Sequence, residues 1–235
     1  MPAETVERPC ADEPERPKPE SLLESANRLS ERLPGHRVEI GGGVITVAPL
    51  PDGAHGRALT KLMRPLIEAG LDDGESAVIQ GIGVWLPSGP SDYAIPDLAV
   101  VDADFDAHVV ENNCYDPGAF RLVLEVTSGN YQNDLRHKVT AYAAAKIPVY
   151  VILDRKHGRV HVLTDPFTSG YDTHQVYAPG HSVTLPDSIG AKVVLDVAAL
   201  VAAGRPSPKL KPEPSEGPTP PREQEPQPER QPSES

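Results

Sequence analysis

Residues 120–154 read FRLVLEVTSGNYQNDLRHKVTAYAAAKIPVYVILD. Two nearly continuous apolar runs, Phe120–Val126 and Pro148–Asp154, bracket a segment with helical spacing over 131–146. Short runs of this kind fit strands buried on both faces of a sheet. A strand–helix–strand unit with further strands on either side belongs to an α/β or α+β fold with a mixed sheet. Within the first run one residue breaks the pattern: Glu125 stands in the most apolar strand of the chain.

Working outward, Ser21 and Glu24 form a Ser-x-x-Glu capping box ahead of Leu22, Leu23, Ala26, Leu29 and Leu33, which recur at helical spacing until Pro34-Gly35. A hairpin is expected from Arg37–Ile40 and Val44–Ala48 across Gly41-Gly42-Gly43. Asp52 is placed to cap a second helix carrying Ala58, Leu59, Leu62, Met63, Leu66 and Ile67. Pro65 lies inside it, removes a backbone donor and is expected to kink it. Strands are expected at Ala77–Leu86 and Leu98–Asp102, a pair of edge strands at Arg159–Thr164 and Tyr171–Tyr177, and a closing helix at Leu195–Val201.

The ends differ in composition. Of 27 prolines among 235 residues, five lie in residues 1–20 and ten in 205–235, amid Glu, Ser, Gln and Arg. Such segments bury too little apolar surface to offset chain entropy, so both tails are expected to be disordered around a single domain over 21–204. The net charge of −12 leaves −8 on that domain once the tails' −3 and −1 are removed, which argues against tight nucleic-acid binding through phosphate neutralisation. No apolar run reaches a membrane span and no hydrophobic signal core opens the chain. Cys10 and Cys114 are the only cysteines, and a cytoplasmic location is expected.

Charge is also segregated within the domain. No Lys or Arg occurs from Pro65 to Phe120, where there are eleven acids, whereas 121–159 carries seven bases against three acids. Most of the acids read as solvated loop residues. Asp97, which opens a strand after Pro96, and Glu125 stand apart, because a buried carboxylate must be paired, neutralised or metal-bound. Glu125 therefore needs either a divalent cation shared with Asp97 or a base from the following helix. Taking Asp134 as zero on that helix, Lys138 lies at about 40° and Tyr142 at about 80°, a polar stripe beside the apolar one. The same spacing also makes Asp134–Lys138 an ordinary i,i+4 surface pair.

Taken in order, Ala94-Ile95-Pro96-Asp97-Leu98-Ala99-Val100-Val101, Leu122-Val123-Leu124-Glu125-Val126-Thr127-Ser128, Asp134, Lys138, Tyr142 and Ile147–Asp154 resemble the Uma2 family of restriction-endonuclease-like proteins. Arg37-Val38-Glu39, His55 and Gly83-Val84-Trp85-Leu86-Pro87 add to the resemblance. It implies a PD-(D/E)XK nuclease fold, a restriction-endonuclease-like mixed β-sheet flanked by helices. It further implies that Asp97 and Glu125, with the Val126 carbonyl, ligate Mg²⁺ (or Mn²⁺) for phosphodiester hydrolysis. The superfamily's lysine two residues beyond the acid is replaced by Thr127, and members of the family carry it on the next helix, here Lys138. Asp134 and Tyr142 are then expected to position Lys138, and Glu39 to add a further carboxylate. The sequence departs from the family pattern in having Val151 where an aromatic is usual, Pro65 in the second helix, and the long Pro/Glu tail.

The leading expectation is a Mg²⁺-dependent endonuclease acting on weakly bound DNA, with the basic 121–159 segment as a local track. The alternative is a non-catalytic interaction or regulatory protein on the same fold, its proline-rich tails recruiting partners. A homodimer, with acidic residues 102–116 at an interface, is a third reading. Zinc at His157 and His161 is the weakest, since no Cys/His set of suitable spacing completes it.

Overall fold

The computed structural model describes residues 20–127 and 134–206. Both tails read from composition therefore lie largely outside the described residues, as does 128–133. The chain opens with helix α1 (Leu22–Arg32), where Ser21 and Glu24 form the reciprocal capping box. The hairpin β1 (Arg37–Gly41) and β2 (Val44–Ala48) turns through Gly42 and Gly43 at φ 58° and 74°, a left-handed pair that glycine adopts without steric cost. Helix α2 (Gly53–Glu68) is capped by Asp52 and continues past Pro65. The missing donor falls in its last turn.

The expected strand at Ala77–Leu86 is two strands, β3 (Ser76–Gln80) and β4 (Gly83–Trp85), which belong to different sheets. Gly81, at φ 66°, turns the chain between them. After β5 (Tyr93–Ala94) and β6 (Leu98–Asp102), the stretch without clear periodicity contains the short β7 (Val109–Glu111) and β8 (Cys114–Tyr115). Then come β9 (Phe120–Val126), a π-helical turn over Asp134–Lys138, helix α3 (Val139–Ala144), β10 (Val149–Asp154), β11 (Arg159–Pro166) and β12 (Tyr171–Tyr177). The closing segment is a small hairpin, β13 (Ser182–Thr184) and β14 (Val194–Asp196), followed by α4 (Val197–Ala203), so the helix begins two residues later than its spacing predicts.

The central sheet has the order β12-β11-β10-β9-β6-β3 and is antiparallel apart from the parallel β9/β10 pair. The second sheet has the order β2-β1-β5-β4-β8-β7. Alternation along β9 decides what each face sees. Leu122, Leu124 and Val126 pack with α2 and α4, whereas Val123 packs with Tyr142 and Ala143 of α3. Each such side chain contributes about 1.5–3 kcal/mol by burial. A third cluster joins Ala26 of α1 to Val38 and Ile40 of β1, seating the second sheet's hairpin. No helix among the described residues is long and apolar enough to cross a membrane.

Candidate active site

The same alternation that sends Leu124 and Val126 to one face of β9 sends Glu125 to the other, towards α3. Strand β6 obeys the same rule: Leu98 and Val100 lie on the α2 face, so Asp97, one residue earlier, shares a face with Ala99 and Val101. Because Leu98 pairs with Leu124 in the antiparallel register, Asp97 comes opposite Glu125 one step further along. The backbone N–H of Val126 donates to Asp97 Oδ2 at 2.7 Å, which locks that arrangement. The two carboxylates singled out in the sequence are thus neighbours on one face, 3% and 2% exposed.

Both are heavily partnered. Arg37 Nη2 donates to Asp97 Oδ1 at 2.5 Å, and Nη1 of the same guanidinium lies 3.8 Å from Glu125 Oε2. His55 Nε2 lies 3.3 Å from Asp97 Oδ2, while its Nδ1 is buried with no hydrogen-bond partner among the described residues. Glu125 Oε1 accepts from Lys138 Nζ at 2.7 Å and from the Tyr142 hydroxyl at 2.9 Å. Lys138 Nζ also donates to Glu39 Oε1 at 3.1 Å, an oxygen that accepts the Ile95 N–H at 2.7 Å. Asp97, Glu125, Glu39, Lys138 and Tyr142 therefore form one network, and Arg37 and His55 complete it. The last two carried the family resemblance but had no assigned role, because they come from β1 and α2, far away in the chain.

Each side chain is aimed by local structure. Arg37 and Glu39 alternate along β1, so they point to the same side. Asp92 holds their turn, accepting from Gly42 N–H at 2.7 Å, Gly43 N–H at 3.2 Å and the Ser88 hydroxyl at 2.7 Å. Its reading as a solvated loop acid is therefore overturned: it is buried as the anchor of the hairpin. The Asp52 cap accepts the His55 N–H at 2.7 Å and pairs with Arg155 at 2.9 Å, fixing the first turn of α2. Tyr142 meets Tyr150 edge to face with ring centroids 5.0 Å apart. Thr127, at the usual lysine position, accepts the Arg155 N–H and donates to the Leu153 carbonyl, tying β9 to β10.

Lys138 is buried and turned to Glu125 and Glu39. Of the helix expected over 131–146, Asp134–Lys138 is a π-helical turn and Val139–Ala144 is the regular helix α3, while 131–133 lie outside the described residues. The expected role of Asp134 lies outside the described side chains. The electrostatics follow the contacts. Burial raises the Asp97 carboxyl, but His55, the Arg37 guanidinium and the Val126 N–H outweigh it and hold Asp97 at about 2. Burial likewise opposes charge on Arg37, yet Asp97, Glu125 and Glu39 keep it more firmly protonated than usual. Burial first, then Glu125 and Glu39, push the Tyr142 phenol well up, leaving a neutral donor.

These side chains border an open cleft of about 520 Å³, which also reaches Asp52, His55 and the β2 segment Thr46–Ala48. Two carboxylates meeting one guanidinium supply hard oxygen donors, the set suited to Mg²⁺ rather than to zinc. With Glu39, three carboxylates meet the two bases Arg37 and Lys138, so a divalent ion is electrostatically acceptable there. Among the described residues no three His, Cys, Asp or Glu side chains form a ready-made metal cage. Asp97 and Glu125 would thus share the shell with the Val126 carbonyl and solvent. The histidines considered for zinc lie elsewhere: His157 Nδ1 is 2.7 Å and His161 Nε2 3.7 Å from Asp154 Oδ2, and among the described residues the three are not arranged to hold one metal ion.

The Uma2 family, described as "Putative restriction endonuclease", matches residues 23–198. The fold is similar to a solved structure of a "putative nuclease belonging to DUF820" from Anabaena variabilis, with a TM-score of 0.58 and 15% identity, covering 80% of this chain and 100% of that one. No curated protein matches the chain. The family match spans the hairpin, both site carboxylates and Lys138 and ends at the start of α4, and the chain belongs to the Uma2 family.

Proposed function

We propose that the cleft is the active centre of a Mg²⁺-dependent endonuclease that hydrolyses phosphodiester bonds of DNA. The observation that carries this reading is the meeting of two buried carboxylates, Asp97 and Glu125, with the buried ammonium of Lys138 beside an open cleft. In this reading Asp97, Glu125 and the Val126 carbonyl hold the metal, and Mn²⁺ serves in its place. When bound, the ion lowers the pKa of a coordinated water and offsets charge growing on the phosphate. Lys138, held between Glu125 and Glu39, directs an N–H towards the attacking water or a non-bridging phosphate oxygen. Tyr142 keeps Glu125 in place, and Glu39 keeps Lys138 in place through its bond from the Ile95 N–H. Arg37 adds the forked guanidinium geometry that suits phosphate.

One observation favours the second reading, a nuclease fold retained as a non-catalytic interaction module. Arg37 already pairs with Asp97 and Lys138 with Glu125, so each of the two carboxylates has a cation beside it without a metal. Cleavage decides between them. Supercoiled plasmid and single-stranded DNA are incubated with wild type, Asp97→Asn and Lys138→Met in Mg²⁺ or Mn²⁺. Wild type is expected to nick the substrate and EDTA to stop it, with both variants at least about 10²-fold slower. Intact DNA in every lane sinks the nuclease reading.

A further inference from the structure

The bases expected to form a nucleic-acid track, those of 121–159, are mostly engaged locally. Arg121 pairs with Asp102 at 2.6 Å, Lys138 sits in the site, Lys146 Nζ donates to the Pro166 carbonyl and Arg155 pairs with Asp52. A different surface has the required character. Helix α2 buries Ala54, His55, Ala58, Leu62 and Leu66, and on the flank beside α4 it exposes Arg57, Lys61 and Arg64. These stand at i, i+4 and i+7, so they form one stripe about 10 Å long. Between Asp52 and Glu68 the chain has no Asp or Glu, in a protein whose net charge is −12.

The stripe borders a groove of about 510 Å³ whose floor is Ala199, Ala202 and Ala203 of α4, and no carboxylate lines it. Small side chains there let a bulky backbone approach the helix pair. Hydrogen bonds link the rims of the groove and the cleft. Asp52 lines the cleft and bonds Arg155 Nη2 at 2.9 Å; Arg155 Nε donates to the Gly204 carbonyl at 2.8 Å; and Arg57 Nη2 donates to the next carbonyl, that of Arg205, at 3.0 Å. A chain of hydrogen bonds therefore ties the cleft rim to Arg57, the first base of the stripe on α2.

We infer that Arg57, Lys61 and Arg64, over the alanine floor of α4, form the docking surface for the phosphate backbone of the DNA substrate. The inference rests on the endonuclease reading of the cleft. Three phosphate contacts are too few for tight binding, which suits an acidic domain acting on a weakly bound nucleic acid. Such contacts position the duplex without reading its sequence.

The test measures binding apart from cleavage. Anisotropy of a fluorescein-labelled duplex is followed against NaCl in EDTA, for full-length wild type and for Arg57→Gln/Lys61→Gln/Arg64→Gln, with melting curves confirming that both are folded. Each neutralised phosphate contributes about 0.9 to the slope of log affinity against log salt, so the triple variant is expected to lose about 2–3 from that slope. Its affinity at low salt is expected to fall at least about tenfold. Unchanged slope and affinity, with wild type still cleaving in Mn²⁺, overturn this surface and leave the nuclease reading standing. Wild type that neither binds nor cleaves overturns both. Tighter binding of a poly-glutamate peptide than of duplex at the same salt assigns the face to an acidic protein segment and overturns the nucleic-acid assignment.

Discussion

The ammonium of Lys138 lies 2.7 Å from Oε1 of Glu125, and both groups are buried. Removing one partner of such a pair leaves an uncompensated charge, at a cost of about 3–5 kcal/mol. Lys138→Met is therefore expected to lower the urea midpoint sharply as well as to abolish cleavage. Adding Glu125→Gln to it should recover much of the stability and none of the activity. Recovery of both would remove Glu125 and Lys138 alike from the catalytic machinery.

Arg37 spans the two carboxylates that a metal would share. Like charges compete for the same site, and at a few ångströms their repulsion amounts to about 4 kcal/mol under effective protein screening. Arg37→Gln is expected to bind Mn²⁺ about tenfold or more tightly than wild type by titration calorimetry. Affinity that stays the same or falls would mean that Arg37 and the ion do not contend for the pair.

Asp92 is a structural acid with a functional consequence. Its two oxygens take the Gly42 and Gly43 amides that close the hairpin bearing Arg37 and Glu39. Asp92→Ala leaves those amides without their acceptor and is expected to cost about 2–3 kcal/mol. Urea unfolding measures the loss, and amide exchange should show faster opening at Gly42 and Gly43 than in α3. A loss below half a kilocalorie would remove Asp92 as the anchor.

The Asp97 carboxyl stands at about 2 in the folded protein, against about 3.9 in an unfolded chain. A carboxyl lowered on folding stabilises above its unfolded value, and that contribution disappears as pH falls through the folded value. The gap in stability between wild type and Asp97→Asn should therefore be about 2 kcal/mol at pH 6, shrink below about pH 4 and close near pH 2. Urea midpoints across that range check the sign. A gap that widens on acidification would exclude a stabilised Asp97 carboxylate.

How much was legible depended on how local the signal was. The capping box of α1, the hairpin at β1–β2 and the strands β6, β9 and β12 follow from neighbours within a few residues, and they stand where the spacing puts them. The second sheet was illegible as a sheet, because β5 and β8 are two residues long and carry no period of their own. One continuous strand was expected where Gly81 turns the chain between two sheets. Helical spacing across Lys138 was visible, but not the π-helical turn that ends there.

The sequence by itself determined which groups were out of place: a glutamate in an apolar strand, an aspartate after Pro96, and a lysine on the next helix. Burial makes such groups expensive, so their partners had to exist, and that much needs no coordinates. Only the tertiary structure decided who the partners are. Strand register put Asp97 opposite Glu125, and the hairpin and α2 delivered Arg37 and His55 from 60 and 42 residues away in the chain. Side-chain periodicity tells which face a residue occupies within its own element, but the pairing of faces across the fold is set by packing of the whole domain.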